Sequence, residues 1–125
     1  MTSKTENTVK GRAGEALAAH YLCTKGHRLL SRNYKKKTGE IDLITKQGDT
    51  VVFTEVKLRR TLKFGSPAQA VDYRKQQRII KTALWYLQEK NLFGYNVRFD
   101  IIEILGDPSA DVKVNHIENA FLMQE

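Results

Sequence analysis

Asp42, Glu55 and Lys57 lie on the two arms of a short hairpin pattern centred on Gln47-Gly48-Asp49-Thr50. Glycine at the first central position suits a two-residue type II′ turn. With Gly48-Asp49 as that turn, Asp42 faces Glu55, Glu40 faces Lys57 and Ile44 faces Phe53 on one side of the sheet. On the other side Ile41 meets Val56, Leu43 meets Thr54 and Thr45 meets Val52; a longer turn would shift every pair. Directly opposed like charges destabilise a sheet, because their Cβ atoms lie about 4.5–5.5 Å apart. A hard divalent cation, Mg²⁺ or Mn²⁺, relieves that conflict, since such an ion takes one or two carboxylates and keeps water for a substrate. Lys57, two residues beyond Glu55, projects to the same face and can offset negative charge beside the ion. The chemistry so implied is metal-assisted attack on an anionic substrate. A charged strand face with no chemical role is the alternative.

Further candidates come from the elements around the hairpin. A first helix, capped by Asn7 or Thr8, is expected to run to about Thr24, with Gly26 as its terminator. Glu15 sits on it among Gly11, Ala18, Ala19 and Leu22, so its carboxylate lies close to a packed face. A structural carboxylate that caps neighbouring backbone is one reading of it; a role beside a metal is what the resemblance given below implies. Strands are expected over 27–34, 40–46 and 50–59, with a turn at Thr38-Gly39. Ser66-Pro67-Ala68-Gln69 marks a helix start, and the helical pattern continues to about Lys90 with a restart at Asp72. Trp85 and Tyr86 on that helix read as packing residues. A strand over 96–105 and an edge strand over 112–118 complete the order α-β-β-β-α-β with a β tail, an α/β sandwich around a mixed sheet. Glu40 reads as a partner of Lys57 or a turn residue, and Arg98 and Asp100 as a pair on one strand face.

Composition bounds the partners. The chain has 125 residues, one domain by length, with 21 Lys+Arg against 14 Asp+Glu and a net charge of +7. The charge is uneven: residues 1–63 hold 14 basic and 6 acidic side chains, and residues 64–125 hold 7 and 8. A basic first half is a candidate nucleic-acid face or an ordinary solvated surface. Lys35, Lys36 and Lys37, in an apparent turn, and Arg59, Arg60 and Lys63, after the Glu-x-Lys strand, are the candidates for phosphate contact. No apolar run approaches the roughly 20 residues that span a bilayer, and residues 1–10 have no secretory h-region. The single cysteine, Cys23, excludes an internal disulfide and a cysteine zinc cage; it reads as a buried packing residue, and a cytoplasmic location fits. His20, His27 and His116 show no ligand spacing.

Gly39-Glu40-Ile41-Asp42-Leu43-Ile44 followed by Phe53-Thr54-Glu55-Val56-Lys57-Leu58-Arg59 resembles the bacterial YraN-like family. That family is grouped with the PD-(D/E)XK nucleases and is similar to archaeal Holliday-junction resolvases. The likeness extends from Gly11-Arg12-Ala13-Gly14-Glu15 through Phe64-Gly65 and Lys75-Gln76 to Arg98-Phe99-Asp100. It implies an αβββαβ restriction-endonuclease-like core with a mixed sheet flanked by helices. It also implies a metal site of Asp42 and Glu55, with the Val56 carbonyl as a further ligand, Lys57 beside it, and Glu15 as the acidic residue of the first helix. The second helix contributes Gln76 or Lys75. Ile41 stands where the superfamily name has proline, and Ile80 where the RecB-type helix motif has tyrosine. The activity implied is metal-dependent cleavage of DNA, branched DNA included; resolvases of similar fold act as homodimers. A non-catalytic nucleic-acid-binding module that keeps the fold is the alternative, and a protein–protein adaptor a third reading.

Overall fold

The first helix, α1, spans Thr2–Thr24 and ends as its glycine requires. Gly26 takes a φ of 89°, and the N–H groups of His27 and Gly26 donate to the carbonyls of Leu22 at 3.0 Å and Cys23 at 3.1 Å. This pairing satisfies the last helical carbonyls only if one residue adopts the left-handed backbone. The helix starts well before the Asn7/Thr8 cap expected from sequence, because no breaker interrupts residues 2–8. Cys23 is exposed rather than buried: the packed face carries Ala18, Ala19 and Leu22, and Cys23 points off it. The computed structural model describes residues 2–59, 71–107 and 110–123, with side chains from residue 11 onward. Arg60, Lys63 and the Ser66-Pro67-Ala68-Gln69 helix start lie outside the described residues.

Five strands form one sheet in sequence order: β1 (Arg28–Lys36), β2 (Gly39–Gln47), β3 (Thr50–Arg59), β4 (Asn96–Gly106) and β5 (Val112–Phe121). All neighbours are antiparallel except β3 and β4. A parallel pair needs a long crossover, and helix α2 (Tyr73–Glu89) lies within it. Asp72 caps α2, its carboxylate accepting from the Lys75 N–H at 2.8 Å, which is the restart expected there. The fold is thus α/β, with a mixed sheet and two helices, compatible with a restriction-endonuclease-like core.

The sheet is buried on both faces, which is why β3 reads as a nearly continuous apolar run. One layer joins Ile44, Phe53, Phe99 and Ile101 to Ile79, Ile80, Ala83 and Leu87 of α2. The other joins Leu43, Ile102 and Ile104 to Ala18 and Leu22 of α1. Each fully buried aliphatic side chain contributes about 1.5–3 kcal/mol. Arg98 and Asp100 pair as expected, through two bonds of 2.9 Å. The same carboxylate contacts His116 Nε2 at 2.7 Å and accepts from the Asn119 N–H at 3.0 Å, so it joins β4 to β5. Burial works against the ionised form of Asp100, but His116, Arg98 and the Asn119 N–H hold its pKa below the ordinary carboxylate range. Among the described residues, no helix is long and apolar enough to cross a membrane.

Candidate active site

The hairpin pairs as its turn dictates, up to a point. Gly48 has a φ of 59°, as the first central residue of a type II′ turn needs. The β2–β3 ladder runs from Gln47/Thr50 through Ile44/Phe53 to Leu43/Thr54 and stops. Beyond that point β2 continues to pair with β1 as far as Gly39, and β3 with β4 as far as Arg59. The pairs expected at Asp42/Glu55, Ile41/Val56 and Glu40/Lys57 are therefore absent from the ladder: the sheet forks. In the fork the Val56 N–H, a ladder donor deprived of its carbonyl, donates to Asp42 Oδ2 at 2.8 Å. A buried N–H needs such a partner.

Asp42 and Glu55 still meet, through side chains. Burial first, then the charge and hydrogen bond of Glu55, push the Asp42 carboxyl up to about 9, against the Val56 N–H, which favours its ionised form. Asp42 is thus held in its neutral form at neutral pH, as burial beside a second carboxyl group favours. Lys75 of α2 reaches Glu55 Oε1 at 3.4 Å. Burial and the neighbouring Lys75 lower the pKa of Lys57. Burial also opposes the charge of Lys75, but its hydrogen bond with Lys57 and the Glu55 carboxylate carry it above the ordinary lysine range. A cavity of about 260 Å³ opens here, lined by Gly39, Glu40, Asp42, Glu55, Lys75, Arg78 and Ile79.

Glu15 comes to the rim of the same site by a route not visible in sequence. Asn33 Nδ2 donates to Glu15 Oε1 at 2.9 Å and to Glu40 Oε1 at 3.3 Å. Asn33 lies in mid-strand with a φ of 51°, and it drops out of the β1–β2 ladder between Arg32/Leu43 and Tyr34/Ile41, opposite Asp42. A non-glycine residue with such a backbone inside a strand is uncommon. The bond that Glu40 makes is thus to Asn33 rather than to Lys57.

Other candidates separate. Gln76 Nε2 donates to the Val71 carbonyl at 2.9 Å, so α2 contributes Lys75, not Gln76, to the carboxylates. Lys36 is in β1, not in a turn, and its ammonium pairs with Glu89 and lies 5.5 Å from the centre of the Tyr34 ring. Lys35 and Lys37 are exposed. Arg59 pairs at 3.2 Å with Glu103, a fully buried carboxylate on β4 in register with Lys57. Sequence reading missed Asn33, Glu103 and Arg78; of these only Glu103, a lone acid within Ile101-Ile102-Glu103-Ile104-Leu105, carries a local signal.

Among the described residues, no group of three or more His, Cys, Asp or Glu is arranged to hold a metal ion. For a hard cation, Asp42 and Glu55 would be the donors, and their chemistry fits: oxygen ligands, few in number, with the Asp42 proton to be displaced.

The comparisons agree with the motifs. The uncharacterised protein family UPF0102 matches residues 14–104. The UPF0102 protein of Caldanaerobacter subterraneus subsp. tengcongensis is 47% identical, covering 94% of this chain and 98% of its own. A second, from Syntrophus aciditrophicus, is 46% identical over 94% of this chain and 91% of its own. A third, from Clostridioides difficile, is 43% identical over 92% and 98%. The matched span runs from the Gly14-Glu15 pair of α1 through both arms of the fork to β4, so the chain belongs to UPF0102, the YraN-like family that its motifs resemble.

Proposed function

We propose that the protein is a metal-dependent phosphodiesterase acting on nucleic acid, with DNA as its substrate. The observation that carries this is the fork: the sheet gives up pairing where Asp42, Glu55 and Lys75 line a cavity, with Lys57 beside Lys75. A stability-optimised hairpin would continue its ladder there. A divalent cation, Mg²⁺ or Mn²⁺, bound by Asp42 and Glu55 would polarise a phosphoryl oxygen and lower the pKa of a bound water.

The side chains have separate tasks. Asp42, on giving up its proton, and Glu55 would hold the cation, with the Val56 carbonyl as a further ligand. The Val56 N–H holds Asp42 in place. Lys75 holds Glu55. Lys57 offsets the charge that develops on the phosphate in the transition state. Glu15, fixed by Asn33, orders water at the rim. A second reading, a nucleic-acid-binding module without catalysis, is favoured by one observation: among the described residues the acids do not assemble into a cluster of three.

Cleavage decides between them. Purified protein is expected to nick or cut DNA in Mg²⁺ or Mn²⁺, branched DNA being tried first, and the Glu55→Gln variant purified in parallel is expected to be inactive. Losses from Asp42, Glu55 and Lys57 variants should not add, because they serve one transition state. Ca²⁺ should permit binding without cleavage. Metal-independent binding with no cleavage of junction, flap, duplex or single strand would leave the binding module.

A further inference from the structure

The outward face of α2 carries Arg74, Arg78, Lys81 and Trp85, separated by four, three and four residues. That spacing puts all four on one narrow stripe of the helix. The stripe lies opposite the buried face of Ile79, Ile80, Ala83 and Leu87. Charged residues there are ordinary for a surface helix. One feature is not. Trp85 is 48% exposed, although a tryptophan on a helix normally packs inward, as Tyr86 does; a stacked base would relieve that exposure. Arg74, Arg78 and Lys81 are exposed beside it, whereas Lys75 of the first turn already pairs with Glu55 and the Asp72 carboxylate caps the helix.

Tertiary structure extends the stripe to the acidic site. Arg78 lines the cavity that holds Asp42 and Glu55. The β1–β2 turn packs against it: a Cβ added at Gly39 would lie 3.5 Å from Arg78 Cβ and 3.3 Å from Thr82 Oγ1. At the other end, Thr38, Lys81, Leu84, Trp85 and Gln88 line an open depression of about 290 Å³. Lys36 lies 5.9 Å from the centre of the Trp85 ring and pairs with Glu89, so that carboxylate already has a cation for partner. At 1.5 Å per residue, Arg74 and Lys81 are roughly 10 Å apart along the axis, the reach of two or three nucleotides.

We infer that this stripe is the track for an unpaired nucleic-acid strand, its phosphates on Arg74, Arg78 and Lys81 and one base stacked on Trp85. A basic track with an aromatic platform is how single strands are held without sequence preference; a duplex would offer Trp85 no exposed base face. The inference rests on the nucleic-acid reading above and makes it more specific, since the substrate would carry a single-stranded segment leading from the carboxylates.

Trp85 is the only tryptophan in the chain, so emission excited at wavelengths that tyrosine does not absorb reports on it alone. In EDTA, where no metal chemistry occurs, an oligo-dT strand is expected to quench the emission and a blunt duplex of equal length to leave it nearly unchanged. Anisotropy of a labelled strand should show Trp85→Ala binding about 5- to 100-fold more weakly. The triple variant Arg74→Ala, Arg78→Ala, Lys81→Ala should flatten the salt dependence by roughly 0.7 in logarithmic slope for each phosphate that goes unneutralised. No quenching by single strand, equal quenching by duplex, or an unchanged salt slope in the triple variant would each overturn the track. Protein that cleaves DNA without quenching would refute the track and leave the catalytic reading standing; quenching by a protein that cleaves nothing would do the reverse.

Discussion

At the scale of single residues, Asp42 sets the terms. Its carboxyl is pushed from 3.8 up to about 9 by burial and by Glu55, so the folded protein keeps a proton there that the unfolded chain releases. Metal-free stability should therefore fall as pH rises through the window from about 4 to about 9, by up to about 1.4 kcal/mol per pH unit. Asp42→Asn, which keeps an acceptor for the Val56 N–H, should flatten that dependence. It should also preserve or raise metal-free stability at neutral pH while abolishing thermal stabilisation by Mg²⁺ or Mn²⁺. Thermal melts across pH in EDTA, with and without added metal, measure both. A large loss of stability in the metal-free variant would instead make Asp42 a structural hydrogen-bond centre. The residue types at this site were legible in sequence, because an acid opposite an acid on a hairpin demands an explanation. The raised pKa of Asp42 and the lysine pair beside it were not, since both depend on how far water is excluded.

Among the elements, the hairpin shows how local rules reach their limit. Its turn dictated the register as far as Leu43/Thr54, where the pleat and two-residue loop leave no freedom. Past that pair the strands follow different neighbours, β1 and β4, and no turn rule can anticipate which side wins. Asn33 is the counterpart on β1, its left-handed backbone letting the strand bend where Asp42 leaves the ladder. A second junction joins β4 to β5 through Asp100. Asp100→Asn would remove the buried carboxylate partner of Arg98, leaving only the exposed Glu118 carboxylate beside it at 3.8 Å, and should cost about 3–5 kcal/mol in chemical denaturation. In the wild type, the depressed pKa of Asp100 contributes stability that is present above the unfolded carboxylate range. That contribution is lost as pH falls through the folded pKa. A variant with unchanged acid stability would show that the ion pair is screened rather than buried.

For the molecule as a whole, the question is where the positive charge acts. The excess in residues 1–63 pointed to Lys35, Lys36 and Lys37 as one patch. Strand alternation divides them: Lys36 turns towards α2 and Glu89, and only Lys35 and Lys37 remain exposed. Replacing Lys35 and Lys37 by Ala should reduce the salt slope of duplex binding by roughly 0.9 for each phosphate they neutralise. Lys36→Ala should leave it unchanged. Titrations at several salt concentrations test this, and a slope that responds to Lys36 alone would reverse the assignment. The second half, with 7 basic and 8 acidic residues, carries no net excess of cations. Its acids are largely in β4, β5 and the intervening loop, whereas α2 gathers four of its cations.

The sequence by itself determined the order of elements, the ends of β3, the glycine stop of α1, the hairpin turn and the placement of Asp42, Glu55 and Lys57 on its two arms. All of these follow from interactions between residues close in the chain: capping, side-chain alternation and turn geometry. Tertiary structure alone decided that β2 and β3 separate at Asp42, that Lys75 rather than Gln76 meets Glu55, and that Glu103 holds Arg59. It also decided that the cations of α2 adjoin the carboxylates of β2 and β3. Each of these outcomes joins residues distant in sequence. Each is settled by which surfaces the two helices cover and which backbone groups the sheet leaves unpaired, and periodicity within one segment carries no record of either.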